Sequence, residues 1–179
     1  MKSSRLIFAF LLFASSSAFP QAGSAGFQIL MLGYSARDLS LGNSTDAVTK
    51  EPIAVFTNPA GLALENENAL DFMLTHRTYF GGTTIDMFGT RFEAGDISFG
   101  TSLLLSSVPD IEVRTVPSDD PQSTFSAKDF AFAVGGAHSF DKVDVGVSIM
   151  YLYEKLFVYE SQGYAVNFGL NYSLDRDII

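Results

Sequence analysis

The sequence predicts an all-β fold: an antiparallel up-and-down transmembrane β-barrel, incomplete at about six strands, with a short helical N-terminal plug segment. Three observations predict it. From about Ala69 onward, apolar residues alternate with polar or small ones almost to the end of the chain, the period of a strand. The runs are about ten residues long. That exceeds the usual globular strand of about 5–6 residues and matches the 9–11 that a tilted strand needs to cross a bilayer. Composition agrees, with 13% aromatic and only 17% charged residues, where about a quarter is usual in a soluble domain. The same alternation also serves a secreted soluble β-sandwich or small barrel with an apolar interior, and that alternative stays open here.

Taken in order, residues 1–18 read as a secretory signal peptide. Lys2 and Arg5 form a positive start, Leu6 to Ala14 an apolar core, and Ser16-Ser17-Ala18 a small-residue cleavage site. The apolar run is too short to span a bilayer as a helix. Residues 23–68 read as a plug or periplasmic segment of short helices and turns. Within it, Asp46 to Glu51 is expected to form one or two helical turns that Pro52 stops. Asn58-Pro59-Ala60-Gly61 then marks the change of architecture. Asn58 suits a helix cap, Pro59 the first helical position, and Gly61 a bend or close approach. The segment is too small to build a core alone, so it must pack on the strands C-terminal to it.

Residues 69–179 read as the barrel portion. The first run is Ala69 to Phe80, with Leu70, Phe72 and Leu74 opposite Asp71, Thr75 and Arg77. Gly81-Gly82 turns the chain into Thr83 to Phe92, where Phe88 and Phe92 oppose Arg91. After Glu93 to Asp96, the run Ile97 to Val108 sets Ile97, Phe99, Leu103 and Leu105 against Ser98, Gly100, Ser102 and Ser106. Pro109 to Lys128 reads as one long polar loop. The fourth run, Asp129 to Phe140, and the fifth, Val143 to Tyr153, flank a turn at Asp141-Lys142. Glu160 to Gly163 reads as the next turn. The sixth run then sets Tyr164, Val166, Phe168, Leu170 and Tyr172 against Ala165, Asn167, Gly169, Asn171 and Ser173. A last turn is expected at Asp175 to Asp177. If the first strand runs outward, the long loop falls on the outside of the membrane and the short turns at the periplasmic side, as barrels require.

With the strands placed, a resemblance emerges. The stretch Gly33-Tyr34-Ser35-Ala36-Arg37-Asp38-Leu39-Ser40-Leu41-Gly42, followed by Asn58-Pro59-Ala60-Gly61-Leu62-Ala63 and long alternating strands, resembles the opening of the PorV/PorQ family. Those are outer-membrane β-barrels related in fold to the FadL fatty-acid channels. The resemblance implies a non-catalytic protein of the bacterial outer membrane with a role in type IX protein secretion or in outer-membrane transport. A FadL-like channel for hydrophobic small molecules is the alternative. The partners implied are outer-membrane lipid and either secretion-machinery proteins or a hydrophobic ligand. Family members have about fourteen strands and an aromatic ending, whereas this chain shows six and ends Asp177-Ile178-Ile179. A membrane barrel needs at least about eight. The sequence therefore predicts the N-terminal portion of a longer barrel, with a short self-associating homologue as the alternative.

Chemistry is sparse. Zero cysteines remove disulfides and thiolate sites. His76 and His138 fall within strands at no metal-ligand spacing, so no metal, cofactor or catalytic residue is expected, and the chain is not read as an enzyme. A net charge of −9 disfavours nucleic acid as a partner. The structural residues singled out are Arg37, Asn58, Pro59 and Gly61. Arg37, as a lone cation in an apolar segment, is expected either to pair with Asp71 or Asp86 on the strands or to lie in solvent.

Overall fold

A computed structural model of the chain describes residues 26–117 and 119–173. The signal-peptide reading and the turn expected at Asp175 to Asp177 lie outside the described residues.

Six antiparallel strands form one sheet in sequence order: β1 Leu70–Thr78, β2 Thr84–Ala94, β3 Ile97–Val113, β4 Ser123–Phe140, β5 Val143–Leu156 and β6 Tyr159–Tyr172. Every neighbour in the chain is a neighbour in the sheet, so each connection is a hairpin. Three turns take just two residues, Gly95-Asp96, Asp141-Lys142 and Phe157-Val158, each with its first residue in the left-handed region: Gly95 (φ 64°), Asp141 (φ 53°) and Phe157 (φ 56°). Among the described residues, no helix is long and apolar enough to cross a membrane, which says nothing of strands.

The strands run past two expected boundaries. The stretch from Pro109 to Lys128 is not one long loop, because β3 continues to Val113 and β4 begins at Ser123. Between Val108 and Ile111 the register shifts at a bulge that holds Pro109 and Asp110, the latter at φ 52°. A bulge accommodates a proline, which has no N–H for the ladder. Beyond it, Ile111 pairs with Phe125 and Val113 with Ser123. Likewise, Glu160 to Gly163 is not a turn but the start of β6, paired with β5 from Leu152 to Lys155. The chain reverses at Phe157-Val158, with Phe157 at φ 56°. The polar, glycine-ended cluster suggested a turn, but the tight hairpin forms among apolar residues.

Side-chain alternation follows the expected parity on every strand. One face presents Leu70, Phe72 and Leu74 of β1, Phe88 and Phe92 of β2, Ile97, Phe99 and Leu105 of β3, Phe132 and Val134 of β4, Val147 and Ile149 of β5, and Tyr164 to Tyr172 of β6. These are exposed, Leu74 at 81% and Phe168 at 83%. The opposite face is covered by the N-terminal segment. A soluble sheet hides its larger apolar side chains; this sheet leaves them exposed and covers the face of smaller apolar and polar ones.

The covering segment consists of a 3-10 turn at Gln28–Met31, helix α1 at Ala36–Ser40, and 3-10 turns at Pro52–Val55 and Pro59–Ala63. The five-residue α1 forms because Ser35 and Asp38 cap each other's backbone in a capping box. Between them, Asp46 to Glu51 makes a single turn closed on the Thr45 carbonyl by Val48 and Thr49. Ile29, Ile53, Ala54, Val55, Phe56 and Leu62 of this segment bury against Ile85, Met87, Leu104, Ala131, Ala133 and Met150 of the sheet. That contact is the core.

Candidate functional site

Short 3-10 turns leave most of their carbonyls without an internal partner. The inner face of the sheet supplies the missing donors. Ser102 Oγ donates to the Pro52 carbonyl at 2.8 Å, and Ser148 Oγ to that of Val55 at 2.7 Å. Asn167 Nδ2 donates to the Phe56 carbonyl at 3.1 Å. On β1, Arg77 Nη2 reaches Leu32 at 3.1 Å and Thr75 Oγ1 reaches Tyr34 at 3.3 Å. Every one of these donors lies on the small, polar side of a strand's alternation, so strand period and segment docking share a single cause.

Arg91 is the centre of this arrangement. Its side chain is 1% exposed. Nε donates to the Leu62 carbonyl at 2.9 Å, and the other nitrogens reach Asn68 and Leu64. Glu93, at 2.7 Å, and Asp71, at 3.6 Å, balance its charge. A guanidinium suits this position, since its planar fork can serve several acceptors at once. The buried cation is therefore on β2. Arg37, expected either to pair with Asp71 or Asp86 or to lie in solvent, reaches neither carboxylate and lies largely in solvent. It pairs with Glu51 at 3.5 Å with its side chain 56% exposed, while Asp86 pairs with His76 on the outer face at 2.5 Å. Arg37 lies on a five-residue helix whose buried polar group is its neighbour Asp38; the segment turns that residue inward and leaves the arginine at the rim.

The remaining residues of the motif sit where small size counts. Asn58 caps the 3-10 turn, its Oδ1 accepting from the Ala60 N–H, and its Nδ2 donates to Asn171 Oδ1 at 2.7 Å. Pro59 occupies the first helical position and is buried. A methyl group on Gly61 would overlap the Thr49 carbonyl oxygen. Beneath the motif, Ser98, Ala137, Gly146 and Gly169 form one row across β3 to β6. A Cβ on Gly146 would stand 2.5 Å from both the Ala60 nitrogen and the Pro59 oxygen. The segment's backbone thus rests directly on the backbone of the sheet. The alternation showed small residues on this face; it did not show that they form a bed for the Asn-Pro-Ala-Gly turn.

Tyr34 stacks on Phe56 with ring centres 5.4 Å apart and donates its hydroxyl to the Leu30 carbonyl at 2.8 Å. Burial first, then Asp46 and Asp38, pushes its hydroxyl well above the ordinary value of 10.0. At the end of the sheet with the Gly95-Asp96 and Asp141-Lys142 turns, a cleft of about 420 Å³ is bordered by Val48, Lys50, Leu64, Glu67, Asp144 and Ser173. Among the described residues, no three His, Cys, Asp or Glu side chains group closely enough to hold a metal ion. Comparison with family models, with curated proteins and with solved structures finds no match.

Proposed function

We propose that this chain forms part of the wall of a bacterial outer-membrane β-barrel, with its apolar face toward lipid and its N-terminal segment filling the lumen. One observation carries the reading: the exposed face of the sheet carries a broad band of large apolar side chains. Six strands at about 4.8 Å spacing, with an apolar band about 27 Å long from Tyr164 to Tyr172, give roughly 800 Å² of projected apolar surface. Monomeric soluble proteins rarely expose patches beyond about 300–600 Å². Tilted by about 40°, the band stands about 20 Å tall, close to the roughly 25 Å of a barrel's lipid-facing belt. Phe88, Phe132, Tyr151 and Tyr164 share its upper row, and Phe140 and Tyr172 its lower one, as aromatic girdles do. A secreted soluble barrel would need these residues turned inward.

The activity follows the PorV/PorQ resemblance: a non-catalytic membrane scaffold serving type IX secretion, with secretion-machinery proteins as partners. The close filling of the inner face by the N-terminal segment supports a scaffold over an open FadL-like channel. Fractionation tests the membrane reading. The protein is expected in the outer-membrane fraction, resistant to carbonate extraction, with electrophoretic mobility that changes on heating. A freely soluble periplasmic protein overturns it. Deleting the gene separates the two activities: lost export of secreted cargo with unchanged fatty-acid uptake supports the scaffold, and the converse supports the channel.

A further inference from the structure

We infer that the N-terminal segment traverses the sheet from end to end, so that Gly26 and Glu67 open on opposite sides of the outer membrane. This rests on the membrane reading above. The register divides the inner face into rows, each of which can be matched to a point on the segment. The row at the end with the β1–β2 and β3–β4 connections contains Arg77, Ile85, Ser106, Asp129, Glu154 and Ser161. There the Phe27 N–H donates to Glu154 Oε2 at 2.8 Å, and Arg77 holds the Leu32 carbonyl. The Phe27 ring lies 3.1 Å from the Cβ position of Gly163, one row further down. Thr75, in that second row, takes the Tyr34 carbonyl.

Ser102, in the third row, takes Pro52. Arg91, Ser148 and Asn167, in the fourth, take Leu62, Val55 and Phe56. Asn58 and Pro59 rest on Gly169 and Gly146 in the fifth, beside the turns at Gly95-Asp96 and Asp141-Lys142. The path from the first row to the fifth runs roughly 27 Å along the strands, two residues per step. Asn68 then hands over to β1 at the lower end, where the Asn68 carbonyl meets Arg91. The excursion from Ala36 to Glu51 leaves this descent and rejoins it at Pro52. With the Gly95-Asp96 and Asp141-Lys142 turns at the periplasmic side, opposite the long β3–β4 connection, Phe27 is at the outer mouth of the lumen.

The chain has no cysteine, so each one introduced is a unique reporter. Full-length Gly26→Cys and Glu67→Cys are expressed alongside Val116→Cys, in the β3–β4 connection, and Lys142→Cys, in the β4–β5 turn. Both ends of the traverse are exposed, and the nearest atom to a Cβ at Gly26 is Glu154 Oε2 at 3.9 Å, so these changes leave packing intact. Gln28→Cys, also exposed, is a second reporter, and heat-modified mobility confirms folding of each variant. Intact cells are treated with a membrane-impermeant maleimide, then treated again after the outer membrane is permeabilised. Labelling of Gly26→Cys and Gln28→Cys together with Val116→Cys in intact cells, and of Glu67→Cys only with Lys142→Cys after permeabilisation, is the expected result. If Val116 and Lys142 separate but Gly26 follows Lys142, the traverse is wrong while the membrane reading stands. If Val116 and Lys142 do not separate, the membrane reading falls and the inference with it.

Discussion

Gly146→Ala tests the docking of the Asn-Pro-Ala-Gly turn on the sheet most directly. The substitution adds one methyl group and removes nothing. Gly146 has no positive φ to protect, so the backbone itself tolerates alanine. The new Cβ would stand 2.5 Å from the Ala60 nitrogen and from the Pro59 oxygen. An ordinary contact needs about 3.4 Å or more, so the turn must lift by roughly 0.9 Å. The atoms in the way are backbone, and that backbone is held by Asn58, which is bonded to both Ala60 and Asn171. Neither a rotamer change nor a flexible side-chain tip relieves the overlap. Overpacking of this kind costs about 1–3 kcal/mol, and the rigidity of both partners places it near 3. With a denaturant dependence of about 1–3 kcal/mol/M in urea, the midpoint falls by about 1–3 M. The assay is urea unfolding of the detergent-folded protein, followed by tryptic cleavage within residues 26–68 and by heat-modified mobility. Gly136→Ala is the control, since its Cβ meets nothing closer than 3.5 Å, and it is expected to change stability by less than about 0.5 kcal/mol. A Gly146→Ala protein as stable as that control, with its segment equally protected, refutes the contact.

Four further outcomes are expected. Arg91→Met leaves the Leu62, Leu64 and Asn68 carbonyls and two carboxylates without their cation, a loss of about 3–5 kcal/mol in urea unfolding, whereas Arg37→Ala costs under about 1 kcal/mol because its pair is exposed. Ser102→Ala and Ser148→Ala each strand one buried carbonyl and lower stability by about 1–3 kcal/mol, read as a shifted urea midpoint. On the proposed membrane reading, Val166→Arg, in the middle of the apolar band, destabilises the protein in lipid by about 2–4 kcal/mol; a change below about 0.5 kcal/mol in bilayer refolding contradicts a lipid-facing position. Tyr34 is held neutral in the fold, so its contribution is complete below its unfolded value of 10.0 and is lost as pH rises beyond it. Unfolding midpoints measured from pH 8 to alkaline conditions should therefore fall more steeply for the native protein than for Tyr34→Phe.

The sheet was legible in the sequence because a single period governs it. Tyr164 to Tyr172 announce both a strand and its faces, and a strand of that parity has one way to present them. The hairpin ends were less legible because their signal is long-range. Ile111 and Val113 become strand only through Phe125 and Ser123, across a bulge at Pro109 and Asp110. Phe157-Val158 carries no residue that favours reversal; the pairing of Lys155 with Glu160, both by register and by a 2.6 Å ion pair, defines the turn from outside it. The helix at Ala36–Ser40 did have a local signal, Ser35 and Asp38 three residues apart, hidden under the alternation of Leu39 and Leu41. A carboxylate-paired arginine on the inner face was expected at Arg37, with an arginine in solvent as the alternative; the structure has Arg37 largely in solvent and the paired cation at Arg91. Nothing local distinguishes Arg91 from Arg37, because what buries Arg91 is a set of carbonyls more than twenty residues away in the chain.

The contacts that hold the segment also set an order in time. Phe27 meets Glu154 across 127 positions, Asn58 meets Asn171 across 113, and Val55 meets Ser148 across 93. The segment that precedes the sheet in the chain is therefore among the last parts to be fixed. Until β5 and β6 have been delivered, Ile53, Val55 and Leu62 lack the strands that finish their burial, and contacts of such separation form slowly. During that interval the chain is an aggregation hazard in an aqueous compartment. On the proposed membrane function, a holding chaperone would shield this apolar surface until the β5–β6 hairpin closes over residues 27–62.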